Sequence, residues 1–231
     1  MTLRLAVLNP NTSAATTAHM ASIVRALVPP GVKVEGHSMP LGPAIVTDEA
    51  ALAAAARQIE TVGRALASDG VAGILIAGFG DPGLATLRGA LSIPVTGIAE
   101  AGMAEAAARG RFSIITTTPD LQRSILSLVR AYGHDAALAS LRITPGIAEK
   151  VMADPEALQR ALVAIARDCA ADGAVSVLIG GGPLARAARA VSDAIDLPVI
   201  EPVAAGARLA LHRLGLSCAS ASFPPQTRTL P

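Results

Sequence analysis

Aromatic side chains are nearly missing from this chain: its 231 residues hold no Trp, one Tyr and three Phe. Stacking platforms for nucleic-acid bases need such rings, so single-strand binding is excluded. Charge of either sign is also scarce. Lys and Arg number 19 against 18 Asp and Glu, a net charge of +1. That balance offers no basic footprint for a phosphate backbone, and no nucleic-acid partner is expected. Two cysteines exclude a disulfide framework. His19, His37, His134 and His212 are scattered without metal-ligand spacing, so no metal is expected. Long apolar runs are absent as well. The two most apolar stretches, Val71–Gly80 and Ala174–Ala185, are shorter than the roughly 20 residues of a spanning helix and contain Gly. They read as buried strands. The chain begins strand-like at Leu3–Leu8, without a cleavable signal pattern. A cytoplasmic protein with no membrane partner is the expectation.

What is present is a large aliphatic content. Hydrophobic residues make up 52% and the mean hydropathy is +0.50, which excludes a disordered chain. The core must be built from Ala, Val, Leu and Ile. High hydropathy without a membrane span points to subunit interfaces, so a homo-oligomer is expected.

Short apolar runs alternate with longer Ala-rich segments. Strands are expected at Leu3–Leu8, Val32–His37, Val71–Ala77, Pro94–Gly97, Arg111–Thr116, Ala174–Ile179 and Pro198–Ile200. Helices are expected at Ser13–Leu27, Asp48–Ser68, Pro82–Ala90, Ala99–Ala108, Asp120–Ala131, Pro155–Ala171, Leu184–Ala194 and Val203–Leu214. Several strands are near-continuous apolar runs, as in a parallel sheet covered on both faces. Ser13 and Asp154-Pro155 have the chemistry of helix starts, and Gly70 and Gly173 that of helix stops. The fold class is therefore α/β. The tail from Ser217 to Pro231 is expected to be an extended strap.

The chain also repeats itself. Asp69-Gly70 followed by Val71–Gly78 parallels Asp172-Gly173 followed by Ala174–Gly181, and Ile93-Pro94-Val95 parallels Leu197-Pro198-Val199. Two similar lobes related by a pseudo-twofold are expected, one from residues 1–97 plus 205–231 and the other from 98–204. Ligands of open α/β sheets bind beyond the carboxyl ends of the strands. Four polar or Gly-rich loops occupy such ends: Asn9–Thr12, Gly78–Gly83, Thr116–Thr118 and Gly180–Gly182. A pseudo-twofold would gather them around one cleft.

Gly78, Gly80 and Gly83 form a G-x-G-x-x-G motif between a strand and a helix, with Glu100 at the spacing of a ribose-binding acid. Three features oppose a dinucleotide. The motif follows a middle strand, Asp81 would set negative charge beside a pyrophosphate, and Pro82 removes a backbone donor. No cofactor is expected. Gly180-Gly181-Gly182 before a helix could expose N–H groups to an anion or be a turn. Asn9, Thr116 and Thr117 add amide and hydroxyl groups, a donor set suited to a carboxylate, imide or ureide. His37 ends a predicted strand and reads as a surface residue. Cys169 in a helix and Cys218 in the tail read as inert thiols, and Glu100 and Glu201 as partners of helix starts.

Taken in order, Asn9-Pro10-Asn11-Thr12, Phe79–Leu84, Gly97–Ala101, Arg111–Thr117 and Asp172-Gly173 leading into Val177–Gly180 resemble the hydantoin racemase family, within the aspartate/glutamate racemase superfamily. The resemblance covers nearly the whole chain. It implies two pseudo-symmetric flavodoxin-like lobes, each a mostly parallel sheet flanked by helices. It also implies a site in the cleft between them, no cofactor and an oligomer. The family's chemistry resembles a two-base mechanism, with one cysteine from each lobe on opposite faces of a carbon acid. Here the two cysteine positions match Gly78 and Gly181, and neither glycine can transfer a proton. No catalytic residue is assigned.

By this resemblance and the loop chemistry, Asn9, Thr12, Thr116 and Thr117 would hold carboxylate or carbonyl oxygens. Backbone N–H groups near Gly78, Phe79, Gly80, Gly181 and Gly182 would form an oxyanion cradle, and Pro43 and Ala44 would wall the cleft. The expected ligand is a small anion or ureide. Three functions stay open: an isomerase using another base or water, a decarboxylating lyase with an enediolate cradle, and a small-molecule binding protein.

Overall fold

Strands and helices alternate throughout residues 2–219, the part of the chain that the computed structural model describes. The first half runs β1 (Leu3–Asn9), α1 (Ala14–Arg25), β2 (Val32–Ser38), α2 (Glu49–Ser68), β3 (Gly73–Ile76), α3 (Leu84–Ala90) and β4 (Val95–Gly97). After α4 (Ile98–Ala107) the second half runs β5 (Phe112–Thr116), α5 (Gln122–Ala131), β6 (Leu138–Ile143), α6 (Ala148–Ala153), α7 (Pro155–Ala171), β7 (Ser176–Ile179), α8 (Ala185–Ala194) and β8 (Val199–Ile200). The chain closes on α9 (Pro202–Arg213).

Each half forms a four-stranded, all-parallel sheet with the same strand order, β2-β1-β3-β4 and β6-β5-β7-β8. The central strands are buried on both faces, which is why β3 (GILI) and β7 (SVLI) read as unbroken apolar runs. The α/β architecture expected from the alternation of patterns is therefore present as two lobes. Local chemistry sets the helix ends. Ser13, Asp48 and Asp154 accept hydrogen bonds from the first free N–H groups of α1, α2 and α7. Gly70 and Gly173, both at φ +82°, stop α2 and α7.

Two elements between Ala131 and Asp154 were not expected from the sequence. β6 is an edge strand whose residues are all half-buried, so LASLRI carries neither a continuous apolar run nor a clean alternation. Its place is fixed from outside by ion pairs, for Arg142 and the Ser140 hydroxyl both bond to Asp172. The short α6 has no side-chain cap.

The lobes share apolar surface through α4 and α9. Helix α4 lies against α9 and against β7 and β8 of the second sheet, and α9 lies against β3 and β4 of the first. Both contacts need a missing side chain. A Cβ on Gly102 of α4 would stand 2.7 Å from Leu178, and one on Gly206 of α9 would stand 2.8 Å from Leu75. One cluster of buried side chains accordingly runs through both halves, from Leu5 and Leu75 through Ile98 and Val203 to Ile114 and Leu178. Of the expected strap, Ala219 N–H bonds to Leu27 O, and residues 220–231 lie outside the described part. No helix among the described residues is long and apolar enough to cross a membrane.

Candidate functional site

Parallel strands put all their carboxyl ends on one edge of a sheet. The loops that follow β1, β3, β5 and β7 line one cleft of about 60 Å³. The first lobe contributes Asn9, Asn11, Gly78 and Phe79, and the second contributes Thr117, Thr118, Gly181 and Gly182. The two sides touch. A Cβ on Gly180 would be 3.0 Å from the Phe79 ring, and one on Gly182 would be 2.6 Å from Met20 Sδ and 3.1 Å from Ala77 O. Only glycine lets the second-lobe loop lie this close to the end of β3.

Hydrogen bonds divide the polar lining into groups that shape the loops and groups that face the cleft. Asn9 belongs to the first set. It is buried, its Nδ2 donates to Asn11 Oδ1, Thr17 Oγ1 and Ser13 O, and its Oδ1 accepts from Asn11 N. Thr116 is fully buried and ties two loops together, donating to Gly180 O at 2.8 Å. Backbone groups are engaged as well. Gly80 N bonds to Gly78 O, and Gly181 N to Ile179 O. The sequence points to these four residues as ligand contacts; the donors named here bond within the protein, while Asn9 and Gly181 still line the cleft.

The free donors lie next to them. Asn11 Nδ2, the Thr117 hydroxyl and the N–H groups of Gly78, Phe79, Thr117 and Thr118 have no partner among the described residues. Asn11 and Thr118 were not chosen from the sequence. The signal for Asn11 was the Asn-Pro-Asn spacing, which turns the second Asn back toward the strand end while the first anchors the turn. Thr12, Pro43 and Gly80 lie outside the lining. Thr12 N–H bonds to Pro43 O, which fastens the loop after β2 to the loop after β1. Ala44 lines a neighbouring groove rather than the cleft. Ile45, Val46, Leu52, Leu121 and Leu184 supply an apolar wall.

Among the described residues no Asp, Glu, His, Lys, Arg, Tyr or Cys lines the cleft. Cys169 is buried in α7, where burial pushes its thiol above the ordinary value. His37 sits 4.0 Å from Glu35, away from the cleft. Asp81 points inward, accepting from Ala99 N and Glu100 N at the start of α4, so the glycine motif around it builds a helix junction. Burial works against the Glu100 charge, but Arg213 and Arg88 outweigh it and hold that carboxyl low. Glu201 caps α9 from within, accepting from Val203 N and Ala204 N. Among the described residues no three His, Cys, Asp or Glu side chains group as metal ligands.

This frame of two parallel sheets with four loops at one cleft has relatives. The family model for Asp/Glu/hydantoin racemase matches residues 5–210. The chain belongs to the Asp/Glu/hydantoin racemase family. A hydantoin racemase of Paenarthrobacter aurescens is 33% identical over 214 residues, 90% of this chain and 89% of that protein. Allantoin racemase from Klebsiella pneumoniae superposes with a TM-score of 0.84 at 30% identity, over 99% of this chain and 96% of that one. Allantoin racemase from Pseudomonas fluorescens does so with a TM-score of 0.84 at 27% identity, over 99% and 100%. Against that membership, the described residues give this racemase-family cleft hydrogen-bond donors on both sides and no side chain able to exchange a proton near neutral pH.

Proposed function

We propose that this racemase-family chain binds a small carboxylate, imide or cyclic ureide in the cleft between its lobes and polarises its carbonyl oxygens without a thiol acid/base pair. The observation that carries the reading is the donor set. Asn11 Nδ2, the Thr117 hydroxyl and backbone N–H groups from both lobes belong to residues lining one space that, among the described residues, no ionisable group lines. Fixed neutral donors hold a carbonyl or carboxylate oxygen and stabilise the enolate that forms when the adjacent carbon loses a substituent. The two names carried by relatives, hydantoin and allantoin racemase, fit a ligand with an imide or ureide edge. The pseudo-twofold repeat, with lobes at 1–97 plus 205–231 and 98–204, would place such a ligand with one lobe on each face.

A second reading rests on the apolar wall. Leu52, Leu121 and Leu184 would desolvate a carboxylate on the reacting carbon and favour its loss as carbon dioxide. The C–C bond would break, its electron pair would pass to the enediolate held by the donors, and water would return a proton to carbon.

Calorimetric titration with hydantoin and proton NMR in deuterium oxide test the first reading, and incubation with hydantoin-5-carboxylate followed by mass spectrometry for loss of carbon dioxide tests the second. Binding is expected, and any exchange of the α-proton is expected to survive iodoacetamide. Absence of binding, or exchange abolished by iodoacetamide, overturns the proposal.

A further inference from the structure

A second groove, of about 390 Å³, lies beside the cleft. Ile45, Met152 and Pro183 wall both spaces, so a ligand in the cleft that projects past them enters the groove. The chemistry changes there. The cleft carries neutral donors, whereas the groove holds the Arg186 guanidinium, the His19 imidazole, the hydroxyls of Ser13 and Thr16 and the Gln159 amide. Among the described residues no Asp or Glu lines it, so that lining offers Arg186 no counter-charge.

Two observations make this arrangement unusual for an empty surface. Arg186 stands in the first turn of α8, where the helix dipole is positive and a cation is disfavoured. The first turns of α1 and α7 face the same groove through Thr16 and Pro155. Second, His19 Nε2 is buried and has no hydrogen-bond partner. Burial, and then the Arg186 charge beside it, hold the imidazole below its ordinary value, so near neutral pH it carries one N–H and no charge. A guanidinium and an unpartnered imidazole thus share a concave space, whose α7 edge at Pro155 is flanked by the Asp154 cap and Glu156.

We infer that this groove receives a carboxylate-bearing arm of the ligand whose reacting end sits in the cleft, with Arg186 as the specificity-determining residue and His19 beside it. Guanidinium and carboxylate match as a two-point, charge-assisted pair. Ile45 and Met152 pack along the arm between its two ends. The inference rests on the cleft reading above and adds the class of substituent that the ligand bears.

The test compares three probes by calorimetry: hydantoin, hydantoin-5-propionate and the uncharged amide of that acid. The acid is expected to bind at least ~10-fold tighter than the amide, as one charge-assisted pair allows. Arg186→Gln is expected to bring that ratio close to one while leaving the affinity for hydantoin within about twofold. Arg186 is exposed, so the variant folds. Equal binding of acid and amide by the wild type overturns the groove assignment, and so does a preference that survives in R186Q. If hydantoin binds and the acid gains nothing, the groove assignment alone fails. If none of the three probes binds, the cleft reading fails and takes the groove with it.

Discussion

Tyr132, the one tyrosine of the chain, donates its hydroxyl to Oδ2 of Asp81 at 2.7 Å. The bond joins the lobes, for Asp81 follows β3 while Tyr132 ends α5. Asp81 is buried and holds a left-handed backbone, φ +44°, which is uncommon for a residue other than glycine. Its carboxylate also accepts from Ala99 N and Glu100 N, and any Cβ on Gly97 would overlap it. Three donors therefore fix the loop whose earlier residues, Gly78 and Phe79, present free N–H groups to the cleft.

Removing the hydroxyl should loosen that anchor. Tyr132→Phe keeps the ring and leaves a buried carboxylate one donor short. A hydrogen bond to a charged group contributes about 1.5–3 kcal/mol, and a loss in that range is expected in urea denaturation. A loss under 0.5 kcal/mol would mean that the loop is held without Tyr132.

Asp81 should also make stability fall as pH rises through the weakly acidic range. Burial raises its carboxyl from 3.8 to about 6, against the opposing hydrogen bonds of Tyr132, Ala99 and Glu100. A folded value above the unfolded one means that this group's contribution is full below pH 4 and lost as pH passes 6. A rise of about two pH units corresponds to roughly 3 kcal/mol. Other carboxylates act in the opposite sense at lower pH, among them Glu35 and Asp172, both held low at about 2 by Arg4 and Arg142, and their contribution is lost only as pH falls below about 4. The measurable quantity is therefore the difference from Asp81→Asn, which cannot ionise. Relative to that variant, the wild type should lose stability between pH 4 and pH 7. A difference that is flat or grows with pH would contradict the assignment.

The frame of the protein could be read from the sequence because its signals are local. Val71–Ala77 and Ala174–Ile179 are apolar beyond what a half-exposed strand needs, and Ser13, Asp154 and the two stop glycines mark helix ends. β6 escaped because Ser140 and Arg142 owe their place to Asp172, 30 or more residues away. The site was legible to the level of the loop but not of the atom. Asn9 and Asn11 stand two residues apart with the same side chain, and only the fold shows that Asn9 anchors the turn while Asn11 faces the cleft. The same holds for Thr116 and Thr117, since alternate residues at a strand end point opposite ways.

Thiols introduced at the two family positions should not be accommodated equally. A Cβ on Gly78 would be 2.5 Å from Pro10 Cγ, an atom of a ring that cannot rotate away. A Cβ on Gly181 would be 3.1 Å from Leu184 Cγ, on a side chain that can turn. Gly78→Cys is expected to cost about 1–3 kcal/mol, as overpacking does, and Gly181→Cys less. Adding Pro10→Ala should recover part of the loss in G78C, seen as a coupling between the two sites in thermal melts. An additive pair would show that Pro10 is not the obstacle.

The division between shaping and binding donors gives the sharpest separation. Thr117→Val removes a hydroxyl with no partner among the described residues, so it should weaken hydantoin binding by about 5- to 10-fold, the worth of one hydrogen bond. Asn11→Ala should weaken binding as much but also removes Oδ1, which accepts from Asn9 Nδ2 and Ser13 N. Thr117→Val should not lower the melting temperature by more than a degree or two, whereas Asn11→Ala should lower it as well as weaken binding. Thr116→Val and Asn9→Ala remove groups bonded inside the protein, and the partners they leave are buried. Thr116→Val strands Gly180 O, and Asn9→Ala strands Asn11 N, while Thr17 Oγ1 keeps Ser13 O and Ser38 Oγ. An unsatisfied buried group costs about 1–3 kcal/mol, so both variants should melt earlier, with binding weakened only as the loops shift. Calorimetry and thermal melts on the four variants distinguish the cases. If Asn9 or Thr116 carried the binding loss while Asn11 and Thr117 were silent, the cleft's donors would have to be reassigned to the residues first expected from the sequence.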